Sequence, residues 1–557
     1  MAETSDIDRS PVTAISARSA AMAASAVLVL TLAASLHVIP YGRAVWDFIF
    51  VLDGSYRIGL GQVPHVDFAS PIGPLTLYLT YLAERLFPGG QPFVGLHALA
   101  WLVVLPPFAA LTRRLSSGWA FAASFAILAL VVLAPYTLDA TNLSEISYFG
   151  VYNRFATGML FLAGLWFVLP KARGDGVLLG YLFTVLLFLK VTAAISMLGI
   201  VVAAVLIGRA RPAVLLTMLI ISVAVAALIQ ITTGLVSGYL HDLAAMSAIN
   251  GGRSLYLVSS TLVRNWLPLA VTLTIVILAA LELDFASALR RPVAFARRSF
   301  ARESFAIDAA QLVAAALAAE SQNTGGVGLI AAAAALFNPA LTDARRWRRT
   351  AAAVLGATLV LPLADIAVKR AVTALVRERQ GTTDHDFATL FPGMRVPLAT
   401  LDGARLMTRL EREWSPLLDS VEADGFNLDN DPASASPASR AAWATGVAEA
   451  AASFQRLGYA AKARNYATIA FADPFPRLLG LTPARGTSLV IDGNRTVPRF
   501  SPAQASAYLA AADGVFFGSC ELRGAGDSNP ETFRAVLDRE FIRWPLHPCW
   551  DFYSRTH

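Results

Sequence analysis

Charge and cysteine are both scarce in this chain. Asp, Glu, Lys and Arg make up 15% of its 557 residues, where a soluble domain carries about a quarter. Only two cysteines and seven well-scattered histidines are present, which argues against a structural zinc site. Several catalytic motifs are missing as well. There is no Walker A loop, no GxGxxG after a strand, no GxSxG and no HExxH, so the common signatures of nucleotide, dinucleotide, serine-hydrolase and zinc-protease chemistry are absent. A net charge of +6 and a pI near 9.4 do not point to nucleic acid. The basic residues form short clusters between apolar runs rather than one patch, and that is a signature of membrane topology.

What is abundant is apolar surface: 56% of residues are hydrophobic and the mean hydropathy is +0.55. Apolar runs fall at 19–39, 92–112, 117–135, 155–170, 176–189, 191–208, 213–236, 266–283, 304–320, 327–341 and 350–368. A bilayer core of about 30 Å takes roughly 20 helical residues, so several of these runs are short crossings. The expected fold is an all-α polytopic membrane bundle of about eleven transmembrane helices (19–369), followed by a small C-terminal α/β domain (370–557).

The basic clusters set the orientation. Arg113/Arg114, Lys171/Arg173, Arg209/Arg211, Arg290 to Arg302 and Arg345 to Arg349 are expected on the cytoplasmic side. Loops 40–91, 136–154, 237–265 and 320–326 then face outward. Residues 176–208 are 33 almost wholly apolar positions interrupted by Lys190 and flanked by basic clusters at both ends. Parity therefore requires two short crossings with Lys190 near the outer turn. The same logic makes 74–87, with Glu84 and Arg85, an interfacial helix. The polar residues 1–18 read as a cytoplasmic tail, with no cleaved signal expected. The C-terminal domain is placed outside.

In that domain helical periodicity is expected at 400–422, 437–457, 501–512 and 529–543, and strands at 488–492, 514–518 and 550–554. Residues 424–437 read as a loop. In an oxidising compartment Cys520 and Cys549 are expected to form one disulfide, against the alternative of two buried thiols.

The densest polar chemistry lies in WDFIFVLDGSYRIGLGQVPHVDFASPIGPL (46–75). It holds Asp47, Asp53, Asp67 and His65, and acids at a membrane face bind a cation, act as a base or are merely solvated. The segment resembles the first extracytoplasmic loop of the GT-C glycosyltransferases, the superfamily of the protein mannosyltransferases and the aminoarabinose transferase. Asp47 precedes Gly61 by fourteen residues, and Pro64, Asp67, Gly73, Pro74 and Leu75 follow. The run 176–192 is similar to the paired short helices of those enzymes. Many members carry Asp-Glu where Asp47 is followed here by Phe48, so Asp47 and Asp53 both stand as candidate bases.

The resemblance implies an inverting transfer of a sugar from a polyprenyl-phosphate donor to an envelope glycan or glycolipid. A carboxylate takes the acceptor's proton and cations accompany the leaving phosphate. Candidate cations are Arg57, Arg154, Lys190, Arg253 and Arg264. No cofactor is required by this chemistry, and the carboxylates permit a divalent cation without requiring one. Asp67 and His65 either bind substrate or fix a Pro/Gly-bounded turn. Lys190 either meets a phosphate or snorkels to the headgroups. In 139–155, Asp139, Glu145, Tyr152, Asn153 and Arg154 suit a sugar or an ordinary structured loop. In 320–326, Gln322 and Asn323 beside two glycines suit an anion or a tight hairpin. The rival function is a transporter or flippase for a lipid-linked saccharide, since intramembrane charges and broken helices also mark transport sites. A non-catalytic envelope scaffold is the third reading.

Overall fold

The computed structural model describes residues 11–42, 45–134, 136–137, 148, 150–251, 254–282, 304–321, 329–342, 344–382, 390, 393–423, 437–458, 464–493, 495–520 and 529–555. Within these, apolar helices follow one another for most of the first two thirds of the chain. They are α1 (Pro11–Ser35), α2 (Val45–Gly59), α3 (Pro74–Leu86), α4 (Pro92–Thr112), α5 (Gly118–Leu133), α6 (Val151–Val168), α7 (Asp175–Leu189) and α8 (Val191–Leu206). Then come α9 (Pro212–Thr233), α10 (Leu235–Asn250), α11 (Ser254–Arg264), α12 (Trp266–Leu281), α13 (Ser304–Glu320) and α14 (Arg346–Gln380). Their starts are encoded locally. Pro92 and Pro212 occupy first-turn positions, where a missing N–H costs nothing. The Gln91 and Ser117 side chains accept from Phe93 N–H and Ala120 N–H, which caps α4 and α5.

Among the described residues, five helices contain a stretch long and apolar enough to cross a bilayer alone: Ala17–Ser35, Pro92–Thr112, Val151–Val168, Pro212–Thr233 and Arg346–Gln380. A sixth span results if α11 and α12, bent by 78° at their junction, count as one. Helices α5, α7 and α8 are apolar but only 15–16 residues long. The described part of the run 327–341 is not α-helical. Ile330–Phe337 is a 3₁₀ segment of eight residues, about 16 Å at roughly 2 Å per residue, half of an apolar core. Among the described residues, length alone therefore supports five or six spans and leaves the other expected crossings unsupported. Exposed apolar side chains call for lipid. Helix α9 buries only Met218 and Ser222, while Leu216, Ile220, Val223, Leu228 and Ile231 stand exposed, a surface that water does not tolerate over such an area.

Lys190 breaks the 33-residue run where expected, between α7 and α8, with extended backbone. The segment 74–87, expected to be helical, forms α3. Short polar contacts gather the basic clusters at one end of the bundle. Arg18 donates to the Thr112 carbonyl (2.7 Å), and Arg114 pairs with Asp175 (2.6 Å). Lys171 Nζ caps α6 through the carbonyls of Trp166, Phe167 and Leu169. Asp308 receives Arg209 and Asn338, and Glu282 receives Arg345 and Arg348. At the other end lie the 45–75 segment and the C-terminal region.

Helix α14 runs 35 residues, about 50 Å at 1.5 Å per residue, so the expected domain boundary at 369/370 falls inside it. Beyond it are α15 (Leu398–Ala423), α16 (Pro437–Arg456), α17 (Phe475–Leu479), α18 (Pro502–Leu509) and α19 (Asn529–Glu540). The strands are β1 (Ile39–Pro40), β2 (Phe68–Ala69), β3 (Gly381–Thr382), β4 (Met394–Pro397), β5 (Tyr466–Ile469), β6 (Thr487–Ser488), β7 (Gly514–Gly518), β8 (Phe541–His547) and β9 (Trp550–Arg555). The main sheet has the order β5-β7-β9-β8, with β5 and β7 parallel and the other pairs antiparallel. Two expected strands are there as β7 and β9. Only Ser488 of the expected strand 488–492 is in a strand, β6, and it pairs with β2 rather than with the main sheet. Residues 541–543, expected to end a helix, begin β8.

Two sheets stitch the C-terminal region to the membrane half: β1 lies parallel to β4 and β2 parallel to β6. Trp46 packs against Trp443 (5.6 Å between rings) and Phe471 (6.5 Å). One continuous apolar core therefore runs from α1 through the 45–75 segment to Trp550 and Phe552. Cys520 and Cys549 are joined by a disulfide that ties the β8–β9 turn to the end of β7.

Gly73 sits where a Cβ would fall 2.3 Å from the Phe188 carbonyl oxygen, so the 45–75 segment seats on the end of α7 only without a side chain there. Gly73→Val is expected to lower stability by about 1–3 kcal/mol, read as a fall in the thermal unfolding midpoint of the detergent-solubilised protein. An unchanged midpoint would remove this contact from the packing account.

Candidate functional site

Helix α2 presents its polar residues to two different surroundings. Asp53 and Arg57 are one turn apart and fully buried, at 1% and 0% exposure. Arg57 Nε donates to Asp53 Oδ2 (2.8 Å), Nη2 to Asp473 Oδ2 (2.8 Å) and Nη1 to Thr487 Oγ1 (3.0 Å). Thr468 donates to the other Asp473 oxygen. Around this centre, Arg477 pairs with Glu84 (2.7 Å), Tyr56 donates to the Leu481 carbonyl (3.0 Å) and Gln62 to the Pro483 carbonyl (2.8 Å). Burial is the main force that raises the pKa of both carboxyls, and the shared guanidinium pulls each back down.

This geometry corrects two expectations. Arg57 is fully engaged in holding the C-terminal region and is shut away from a leaving phosphate. Asp53 is buried and its Oδ2 is held by that guanidinium, so the ion pair competes for the carboxylate that a base needs free, although Oδ1 has no hydrogen-bond partner. Asp67 is likewise a fastener: it accepts from Val63 N–H (2.8 Å) and Arg485 (2.7 Å), and its carbonyl accepts from Gly486 N–H (2.6 Å).

Asp47, in the first turn of α2 where the helix dipole favours an acid, is only half-buried. Its Oδ2 accepts from Gly150 N–H at 2.8 Å, at the residue that precedes α6. Burial raises its pKa to about 6, against the opposing pull of that N–H and of Arg495. Arg495 comes from the turn after β6, and its carbonyl accepts from Asn250 at the end of α10 (2.9 Å). Tyr152 is close enough to interact with both charges and hydrogen-bonds to Asn153. The start of α6 and a C-terminal turn thus act on Asp47 at the start of α2, and the end of α10 bonds that turn.

The remaining candidates fall elsewhere. His65, at φ +63°, donates from Nδ1 to Asp242 Oδ2 (2.7 Å) and packs on Tyr239 (4.8 Å), which moors α10 to the 45–75 segment. Arg154 lies buried inside the bundle. His97 Nδ1–H donates to the Val132 carbonyl (2.7 Å), so its Nε2 accepts from Arg154 at 3.2 Å. Arg154 also donates to Ala134 O. Lys190 donates to Ala319 O (3.3 Å) and interacts with Glu320. Arg264 turns back onto Ser260 of its own helix (3.3 Å). Asp139, Glu145, Arg253, Gln322 and Asn323 lie outside the described residues. Among the described residues no three His, Cys, Asp or Glu side chains group as metal ligands.

No family model, curated protein or solved structure matches this chain. The geometry above therefore carries the functional argument. Asp473, Arg477, Arg485, Asp242 and Arg495 have no local sequence signal, because each acquires its role from a partner more than 170 residues away.

Two outcomes follow. Arg57→Met removes the one cation between two buried carboxylates and is expected to cost roughly 3–5 kcal/mol, seen as a lowered unfolding midpoint and faster protease release of the C-terminal region. The raised carboxyl pKa values set a pH dependence. The folded state holds protons more tightly than the unfolded chain, so this contribution to stability is fully present below about pH 4 and is lost as pH rises through the folded values. The unfolding midpoint, followed from pH 4 to 8, is expected to carry a falling component that Asp53→Asn removes; a wild-type profile unchanged by that substitution would refute the assignment.

Proposed function

We propose that the protein is an integral-membrane glycosyltransferase of GT-C type. It transfers a sugar from a polyprenyl-phosphate donor to an envelope glycan or glycolipid on the outer face of the inner membrane. In this reading the bundle makes about eleven crossings, with the short helices α5, α7, α8 and α13 and the 3₁₀ segment counted among them. The N-terminus is cytoplasmic and the region after α14 is periplasmic, where the disulfide fits an oxidising compartment.

The observation that supports it is the setting of Asp47. A base must be near its working pH and within reach of the proton that it removes. Asp47 has the raised pKa, the half-open position and a fixed carboxylate, with one oxygen held by Gly150 N–H. As the acceptor oxygen attacks the anomeric carbon with inversion, the C–O bond to the phosphate breaks, and the acceptor's proton passes to Asp47. Arg495, which pairs with Asp492 (3.2 Å), adds positive charge near Asp47. The resemblance of 46–75 to GT-C loops supports this reaction, and the engagement of Asp53 with Arg57 favours Asp47 over Asp53 as the base.

One observation favours the rival. Lys190 stands at a break between two apolar helices and interacts with Glu320, a pattern that also marks transport paths. Substitution separates the two readings. Asp47→Asn is expected to lower transfer from labelled polyprenyl-phosphate sugars by about 10²–10⁴-fold while the unfolding midpoint stays near wild type. The wild-type rate is expected to rise with pH through about 6, as Asp47 loses its proton. Movement of lipid-linked sugar across liposomes that survives Asp47→Asn and fails in Lys190→Met would instead establish the flippase.

A further inference from the structure

The C-terminal region contains a second polar site that the reaction at Asp47 does not use. A cleft of about 900 Å³ opens between α15, α16 and the β8–β9 turn, lined by Arg412, Glu449, Ser453, Arg456 and His547 among others. His547 is its most telling member. Its side chain is 4% exposed, and Nδ1 accepts from Cys549 N–H at 3.1 Å, so the ring proton sits on Nε2. That N–H has no hydrogen-bond partner; the nearest carboxylate, Glu449, is 3.7 Å away, beyond bonding distance. Burial, and then Arg412, push the imidazole down to about 4, so at neutral pH it is a donor and not a cation. A buried donor without a partner is costly, and it persists beside a roomy polar space where a ligand oxygen is able to meet it.

The rest of the lining suits a particular ligand. Arg412 reaches Glu449 at 3.1 Å, with both side chains exposed at 61% and 43%, and Arg456 donates to Ser453 Oγ (3.0 Å). Two guanidinium groups against one carboxylate leave an excess positive charge, and the planar fork of Arg matches a carboxylate in two parallel hydrogen bonds. Glu449 is positioned to accept from hydroxyls. Aside from the imidazole, no ring among the described lining residues offers a stacking face for a neutral sugar. Gly446 keeps α16 close to the ring, since a Cβ there would fall 2.9 Å from His547 Cε1. The disulfide at Cys549 braces the turn that carries His547 and Pro548.

Placement ties the cleft to the membrane half. Trp443, which packs on Trp46 beside Asp47, lies six residues before Glu449 on α16, about 9 Å along the axis at 1.5 Å per residue. We propose that this cleft binds an acidic oligosaccharide, taking a uronate carboxylate between Arg412 and Arg456 and sugar hydroxyls on Glu449 and His547. That this ligand is the acceptor rests on the glycosyltransferase reading; the binding itself does not.

The test uses the full chain in nanodiscs, without donor, and compares oligogalacturonate with neutral maltohexaose by calorimetry. Oligogalacturonate is expected to bind at least about tenfold tighter, with affinity falling as salt rises. Arg412→Gln and Arg456→Gln, both outside the core, are each expected to weaken it by about tenfold, while Asp47→Asn leaves it unchanged. Equal affinity for both glycans, no binding of either, or arginine variants that bind like wild type would each overturn the proposal. Binding that follows this pattern in a protein without transferase activity would keep the cleft and remove the enzyme reading. Transfer that persists without such binding would do the reverse.

Discussion

The Arg57 guanidinium is the interaction on which the rest depends. It lies fully buried on α2 and holds Asp53 from its own helix, Asp473 ahead of α17 and the Thr487 hydroxyl in β6. Removing three polar groups and their charges from water is expensive, and the cost is met only because every arm of the fork finds an acceptor in good geometry. Around it, β2 pairs with β6, Asp67 takes Arg485, and Arg477 takes Glu84. The periphery has many weak contacts, but the centre specifies a single register between chain segments that lie over 400 residues apart.

That register creates the neighbourhood of Asp47. Once α2 is clamped at its C-terminal half, its first turn is held beside Gly150 and under the turn that carries Arg495. Trp46 is fixed against Trp443 and Phe471. The two aspartates of α2 are six residues apart on one helix and have different surroundings: Asp53 is buried at the interface with the C-terminal region, while half-buried Asp47 accepts from Gly150 N–H. Environment rather than residue type divides a structural carboxylate from a chemically available one. The C-terminal region is therefore part of the candidate site and not an appendage to it.

A good deal of the fold was legible in the sequence. Apolar runs named most of the bundle helices within a few residues, because a membrane helix is selected residue by residue for apolar character. Lys190 marked the break between α7 and α8, and two cysteines admit one pairing. The misses also have physical causes. The four-residue β5 is buried at every position, so it lacks the alternation that marks a half-exposed strand. Strand β8 carries Pro545 and Arg543 on an exposed edge and reads as no strong strand. The 3₁₀ segment is alanine-rich and apolar, which by composition alone resembles an α-helical crossing.

The sequence by itself determined that this chain is a helical membrane protein, where its apolar segments fall, and that its polar chemistry concentrates near residues 46–75. These are local properties, written in hydropathy and spacing. Only the tertiary structure decided which of those polar residues are fasteners and which are open. Arg57 and Asp53 belong to a buried clamp, His65 to an anchor for α10, and Arg154 to the bundle interior, while Asp47 stays half-exposed. The reason is that a charge is defined by what lies beside it, and the partners here are Asp473, Asp242, His97 and Arg495, residues brought close only by folding.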